Sequence, residues 1–156
     1  MKHLSLAVIA FCVLCVVQNS SAQNRDFGFG LIIGEPTGLS AKLWTSNSNA
    51  FDFALGWSAM GNRNYPDNRV HLHADYLWHA WNAIHSTDRF PLYYGIGGRF
   101  IGGGNEGSFA VRGVFGIAWM PQPTPIDVFL EVAPSFQLTP SSGFALDAAI
   151  GIRYYF

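Results

Sequence analysis

Residues 144–156 alternate strictly between two kinds of side chain. Phe144, Leu146, Ala148, Ile150, Ile152, Tyr154 and Phe156 fall on one side; Ala145, Asp147, Ala149, Gly151, Arg153 and Tyr155 fall on the other. In a β-strand successive side chains point to opposite faces of the sheet. One face of this strand is therefore apolar and the other small or polar. A strand with lipid outside and a polar lumen inside has this pattern.

The same period of two recurs upstream. Phe27, Phe29, Leu31 and Ile33 alternate with Gly28, Gly30 and Gly34. Leu39, Ala41 and Leu43 flank Ser40 and Lys42. Phe51, Phe53, Leu55 and Trp57 alternate with Asp52, Ala54, Gly56 and Ser58. Val70, Leu72, Ala74, Tyr76 and Trp78 alternate with Arg69, His71, His73, Asp75 and His79. Leu92, Tyr94, Ile96 and Phe100 alternate with Tyr93, Gly95, Gly97 and Arg99. Phe109, Val111, Phe115, Ile117 and Trp119 oppose Ser108, Ala110, Arg112, Gly116 and Ala118. Ile126, Val128, Leu130, Val132 and Phe136 oppose Asp127, Glu131, Ser135 and Gln137. Clusters of Gly, Pro, Asn and Ser separate these stretches. The pattern predicts an all-β fold: an eight-stranded antiparallel up-and-down transmembrane barrel with a polar, side-chain-filled lumen, forming a single domain over 23–156.

The charges follow the same division. Lys42, Asp52, Arg69, Asp75, Arg99, Arg112, Asp127, Glu131, Asp147 and Arg153 all fall on the inward face. An Arg or Lys on the lipid face would cost about 2–4 kcal/mol near the bilayer midplane. Eight strands enclose a space narrow enough for side chains to fill, so these charges must pair. Hairpin geometry predicts Lys42 opposite Asp52, Arg112 near Glu131 and Asp127 near Arg153. A plugged, salt-bridged core follows, rather than a pore.

Before the first strand, Lys2 and His3 precede an apolar run from Leu4 to Val17, and Ser20-Ser21-Ala22 supplies small residues for cleavage. Residues 1–22 read as a cleaved secretory signal. The run is about 14 residues, short of the roughly 20 a membrane helix needs. Both cysteines, Cys12 and Cys15, lie inside it, so processing removes thiol and disulfide chemistry. A lipidated Cys15 is disfavoured by its bulky neighbour Leu14. Without Lys2 the chain keeps eight basic and ten acidic residues, a formal charge of −2. It has no basic patch, which argues against a nucleic-acid partner. Only 12% of residues are charged, about half the usual share of a soluble domain.

The ending Gly151-Ile152-Arg153-Tyr154-Tyr155-Phe156 is similar to the C-terminal β-signal of outer-membrane proteins, with Ile152, Tyr154 and Phe156 as its apolar positions. The chain resembles small eight-stranded barrels of the OmpA/OmpX-like superfamily. Gly34 to Lys42, Pro91 to Gly95 and Asp127 to Pro134 are similar to segments of a family of uncharacterised bacterial barrels. The resemblance implies integral residence in a Gram-negative outer membrane, with membrane lipid and the barrel-assembly machinery as partners. It implies no reaction and no cofactor.

Aromatic residues suit two interfacial girdles. Phe27, Trp78, Tyr94, Trp119, Tyr154 and Phe156 mark the end bearing the termini; Trp57, Phe100, Phe109, Phe136 and Phe144 mark the other. With periplasmic termini, the connection Ala80 to Phe90 falls where turns are usually short. The opposite rim comprises Glu35 to Gly38, Met60 to Asn68, Ile101 to Gly107 and Thr139 to Gly143, with Arg63 and Tyr65 as contact candidates for an unknown surface ligand.

Chemistry is sparse. His71, His73 and Asp75 share one strand face, a spacing that suits a metal; the competing reading is a hydrogen-bonded cluster, and no metal is assigned. His79, His85, Ser86 and Asp88 could serve a lipid-modifying enzyme only if nucleophile, base and acid touch. A non-catalytic structural or surface-interaction barrel is the expected function, with the lipid-modifying enzyme as the alternative.

Overall fold

A computed structural model describes residues 26–58, 69–103 and 106–156. The leader segment with Cys12 and Cys15, and the rim candidates Arg63 and Tyr65, lie outside the described residues. Eight strands follow one another: β1 (Phe27–Gly34), β2 (Thr37–Trp44), β3 (Asn49–Trp57), β4 (Val70–Ala80), β5 (Leu92–Gly103), β6 (Glu106–Trp119), β7 (Ile126–Thr139) and β8 (Gly143–Tyr155). Each pairs antiparallel with its sequence neighbour, and β1 pairs with β8, so the sheet closes into a barrel with no free edge. No helix among the described residues is long and apolar enough to cross a membrane, which says nothing of strands.

The strands match the alternating stretches, and their register carries the functional consequences. Lys42 stands opposite Asp52 across β2 and β3. Asp52 also stands opposite Asp75 across β3 and β4. Asp127 faces Arg153 across β7 and β8. The β6–β7 register shifts between Phe109 and Ala110, which pair with Thr139 and Gln137. The extra residue, Leu138, marks a bulge near the end of the ladder.

Burial alternates along every strand. The buried apolar set includes Ile32, Leu77, Tyr93, Val114 and Phe129. Three large buried aromatics lie against glycines of neighbouring strands. A Cβ on Gly116 would meet the Tyr93 ring at 2.2 Å, one on Gly151 the Phe129 ring at 2.3 Å, and one on Gly28 the Tyr155 ring at 2.7 Å. Each ring occupies the space that a side chain on the facing glycine would take.

The β1–β2 turn departs from the sequence expectation. Only Glu35 and Pro36 lie outside the strands, since Thr37 and Gly38 already belong to β2. Gly34 adopts φ 131°, a conformation that favours glycine. Its N–H bonds Thr37 Oγ1 at 3.1 Å, and the Thr37 hydroxyl donates to the Gly34 carbonyl at 3.0 Å. Even-numbered residues of β1 face inward, so unbroken alternation would put Glu35 outside. The turn at Gly34 re-aims it, and Glu35 is 3% exposed. It is part of the buried set, not of an exposed rim.

Candidate functional site

Most ionisable side chains of the strands are withdrawn from solvent. Lys42, Asp52, Asp75, Arg99, Arg112, Asp127, Glu131, Asp147 and Arg153 are all buried, with Glu35, His71, His73 and His79. Arg69 differs: it precedes β4, is half-buried, and donates to the Ile101 carbonyl at 3.3 Å. β4 begins at Val70, one residue later than the alternation suggests.

Three groupings organise these charges. Arg153 sits at the centre of the first. Its Nη2 is 2.6 Å from Asp52 Oδ1, its Nη1 is 3.6 Å from Asp127 Oδ2, and its Nε donates to Ser40 Oγ at 2.8 Å. The guanidinium carbon lies 3.8 Å from the centre of the Phe129 ring, a cation–π contact. The Tyr155 hydroxyl donates to Asp127 Oδ2 at 2.8 Å. Arg112 centres the second group, with Nη2 3.0 Å from Glu131 Oε1 and Nε 3.4 Å from Asp75 Oδ2. Tyr93 donates to Glu131 Oε2 at 3.3 Å. The third is a lone pair: Arg99 Nη1 meets both Asp147 oxygens at 2.7 Å.

The sequence places Lys42 correctly in register but not in pairing. Asp52 is engaged by Arg153, while Lys42 Nζ has no hydrogen-bond partner. It lies 4.9 Å from the Trp44 ring centre and 5.0 Å from that of Tyr93. Folding about a hairpin reveals adjacent strands only. In a closed barrel this narrow, an arginine on β8 reaches a carboxylate on β3.

The histidines form a chain. Glu35 Oε1 is 2.9 Å from His71 Nδ1, and His71 Nε2 is 3.3 Å from His73 Nδ1. His73 Nδ1 also lies 2.7 Å from Arg112 Nη1, and His73 Nε2 is 3.7 Å from Asp75 Oδ2. The metal-type grouping is consequently not His71, His73 and Asp75. Glu35 draws His71 away, and Asp52 takes its place: ligand atoms of Asp52, His73 and Asp75 lie within 4.8 Å of one another. Sequence reading overlooked Glu35, Ser40, Tyr93 and Tyr155 as members of this network. For the two tyrosines a signal existed, since both fall on inward positions and a buried hydroxyl needs a partner.

Two of the enzyme candidates have partners outside the set. His79 Nδ1 lies 3.1 Å from the Ser48 carbonyl oxygen, inside the barrel end. Asp88 accepts from the Trp119 indole at 3.0 Å and from the Gln122 backbone at 3.4 Å. Among the described residues no hydrogen bond joins His79, His85, Ser86 and Asp88 to one another. The connection holding them folds against its neighbours: Trp81 donates to the Asn47 carbonyl at 2.7 Å and stacks on Trp44 with centres 5.6 Å apart. A mouth of about 920 Å³, lined by Trp44, Asn47, Trp81, Arg89 and Met120, opens at this end.

No family model, curated protein or solved structure matches this chain.

Proposed function

We propose that this chain is an integral outer-membrane β-barrel, exported through its cleaved leader, with a structural or surface-interaction role and no catalytic activity. One observation carries the reading. Among strand residues with described side chains, every charged one is buried, while the outward face carries Leu31, Ile33, Ile96, Phe115, Leu130, Phe144 and Ile150, each more than half exposed. A water-soluble monomer rarely exposes so large a contiguous apolar surface, and a soluble barrel would turn that surface inward. Strands of 8 to 14 residues bracket the roughly 9–11 a tilted strand needs to span a bilayer. Exposed aromatics lie at both ends of the apolar band: Tyr94, Trp119, Tyr154 and Phe156 at one, Trp57, Phe100, Phe109 and Phe144 at the other. Rings of this kind favour the two lipid interfaces.

The buried ion groups support a plugged interior, so reconstituted protein is expected to show no stepwise conductance. A lipid-modifying enzyme is the alternative, and on the proposed reading lipid A should have the same mass with and without expression. The decisive test is placement in the membrane. Ile96, near the middle of β5 and 56% exposed, is the probe: in lipid vesicles Ile96→Arg should lower unfolding free energy by about 2–4 kcal/mol. The same change on a water-facing surface would stay within about 0.5 kcal/mol. A processed chain recovered as a dissolved monomer, indifferent to Ile96→Arg, overturns the proposal.

A further inference from the structure

The centre of the barrel crowds buried ionisable groups of both signs. Among the described residues the buried groups comprise six carboxylates (Glu35, Asp52, Asp75, Asp127, Glu131, Asp147) and four cations (Lys42, Arg99, Arg112, Arg153). Between β3 and β4, Asp52 and Asp75 stand directly opposite one another. Like charges at a cross-strand pair are destabilising, and these two are 1% and 2% exposed. Beside them His73, 1% exposed, leaves Nε2 without a hydrogen-bond partner; Asp52 Oδ2 and Asp75 Oδ1 have none either, while Asp52 Oδ1 and Asp75 Oδ2 have ion contacts only, with Arg153 at 2.6 Å and Arg112 at 3.4 Å. Buried polar atoms in such numbers are rarely left unsatisfied, and each cluster of them calls for a water, an ion or a functional role.

We infer that Asp52, His73 and Asp75 form a buried site for one divalent transition cation of the zinc class. The donor set argues for the class: one imidazole nitrogen and two carboxylates suit zinc and its neighbours, whereas calcium and magnesium favour oxygen alone. Two carboxylates in the donor set match a dication rather than a monovalent ion. The surroundings supply the orienting contacts that metal-bound imidazoles use. With His73 Nε2 turned to the ion by its lone pair, its proton sits on Nδ1. That proton is donated to His71 Nε2, 3.3 Å away, and His71 Nδ1 in turn donates to Glu35, 2.9 Å away. Glu35, re-aimed inward at Gly34, thereby anchors the far end of the chain. In the ion-free arrangement Arg112 donates to His73 Nδ1 at 2.7 Å, which puts the proton on Nε2 facing Asp75. Arg112 can release that contact because Glu131 still holds its Nη2 at 3.0 Å. The two states therefore differ in the His73 tautomer and in the His73–His71 contact, which carries a donated proton only when Nδ1 is released by Arg112. This site rests on the buried side chains alone and does not depend on the membrane reading.

The experiment folds the processed full chain in detergent micelles, with and without Zn²⁺, and measures bound metal after washing with a chelator. The expected content is about one zinc per chain, falling at least tenfold in His73→Gln and Asp75→Asn and unchanged in Asp26→Asn, an exposed carboxylate where the first strand begins. Cobalt in place of zinc should give visible ligand-field absorption that is lost in the same variants. Should either variant fail to fold, nitrogen NMR of the unaltered protein decides: zinc should move the His73 proton from Nε2 to Nδ1. No uptake by the unaltered chain, uptake that survives His73→Gln, or a His73 tautomer indifferent to zinc overturns the inference.

Discussion

Two ion groups in this barrel are built on different plans. Arg99 and Asp147 form a closed pair, with Nη1 at 2.7 Å from both oxygens and no fully buried atom of either left without a hydrogen bond. Arg153 instead serves two carboxylates, Asp52 and Asp127. Around it and Arg112 gather the atoms that lack hydrogen bonds, including both oxygens of Asp52 and of Asp75, Lys42 Nζ and Arg112 Nε. The closed pair lies between β5 and β8, toward the barrel end away from the termini, where both residues are 4% exposed. The shared group lies deeper, with Asp52, Asp127 and Arg153 each no more than 1% exposed. A pair can be exchanged as a unit, whereas a shared cation holds several anions whose cost appears together when it is lost.

The largest effect should come from Arg153→Met. It leaves Asp52 and Asp127 buried without their cation, and breaking a buried ion group costs about 3–5 kcal/mol. Urea unfolding of the folded barrel in micelles measures it, read by the gel mobility of unheated samples. A loss no greater than that of Arg99→Met would erase the distinction between the two plans.

Arg99→Met should come next. It strands only Asp147, which keeps some contact with solvent, so a loss of about 2–3 kcal/mol is expected, at or below the low end for a broken buried pair. Its sharper consequence is rescue. In Arg99→Met/Asp147→Leu no charge remains unpaired, and replacing a buried pair by apolar groups is often neutral or stabilising. The double variant should regain most of the loss. If it is as unstable as the single one, Arg99 contributes through packing or through another partner, and the pair is not closed.

The fold was largely legible because a period of two leaves few choices. Once one face of each stretch is apolar and the other carries the charges, a single-residue slip would exchange the faces, so pattern and register constrain one another. Adjacent-strand partners were legible for the same reason: Asp127 opposite Arg153, and Arg112 near Glu131. Partners across the barrel were not. Arg153 to Asp52, Arg112 to Asp75 and Arg99 to Asp147 join strands that are not neighbours, and nothing in the spacing of residues reports the width of a closed sheet. Glu35 escaped for a local reason: Gly34 reverses the phase of the alternation, and a Pro-Thr-Gly sequence reads as an ordinary exposed turn. The metal-type grouping was half legible, since His73 and Asp75 share a strand face but their third member arrives from β3.

Lys42 gives the smallest and most discriminating test of the comparison. Its register with Asp52 invites an ion pair, and on that reading Lys42→Met would strand a buried carboxylate. The geometry says otherwise, because Asp52 is held by Arg153 at 2.6 Å while Lys42 Nζ lies over the rings of Trp44 and Tyr93. The ammonium group bears the cost of burial without a hydrogen bond, offset by the two rings and by the general negative charge nearby. Methionine preserves the stem that packs on those rings and removes the buried charge. A loss of no more than about 1 kcal/mol is expected for this nearly volume-conserving exchange. Lys42→Met/Asp52→Asn should then show no coupling beyond about 0.5 kcal/mol, measured as a double-mutant cycle in the same urea assay. A coupling of several times that size would make Lys42 a third member of the Arg153 group, and the shared plan would extend one strand further round the barrel.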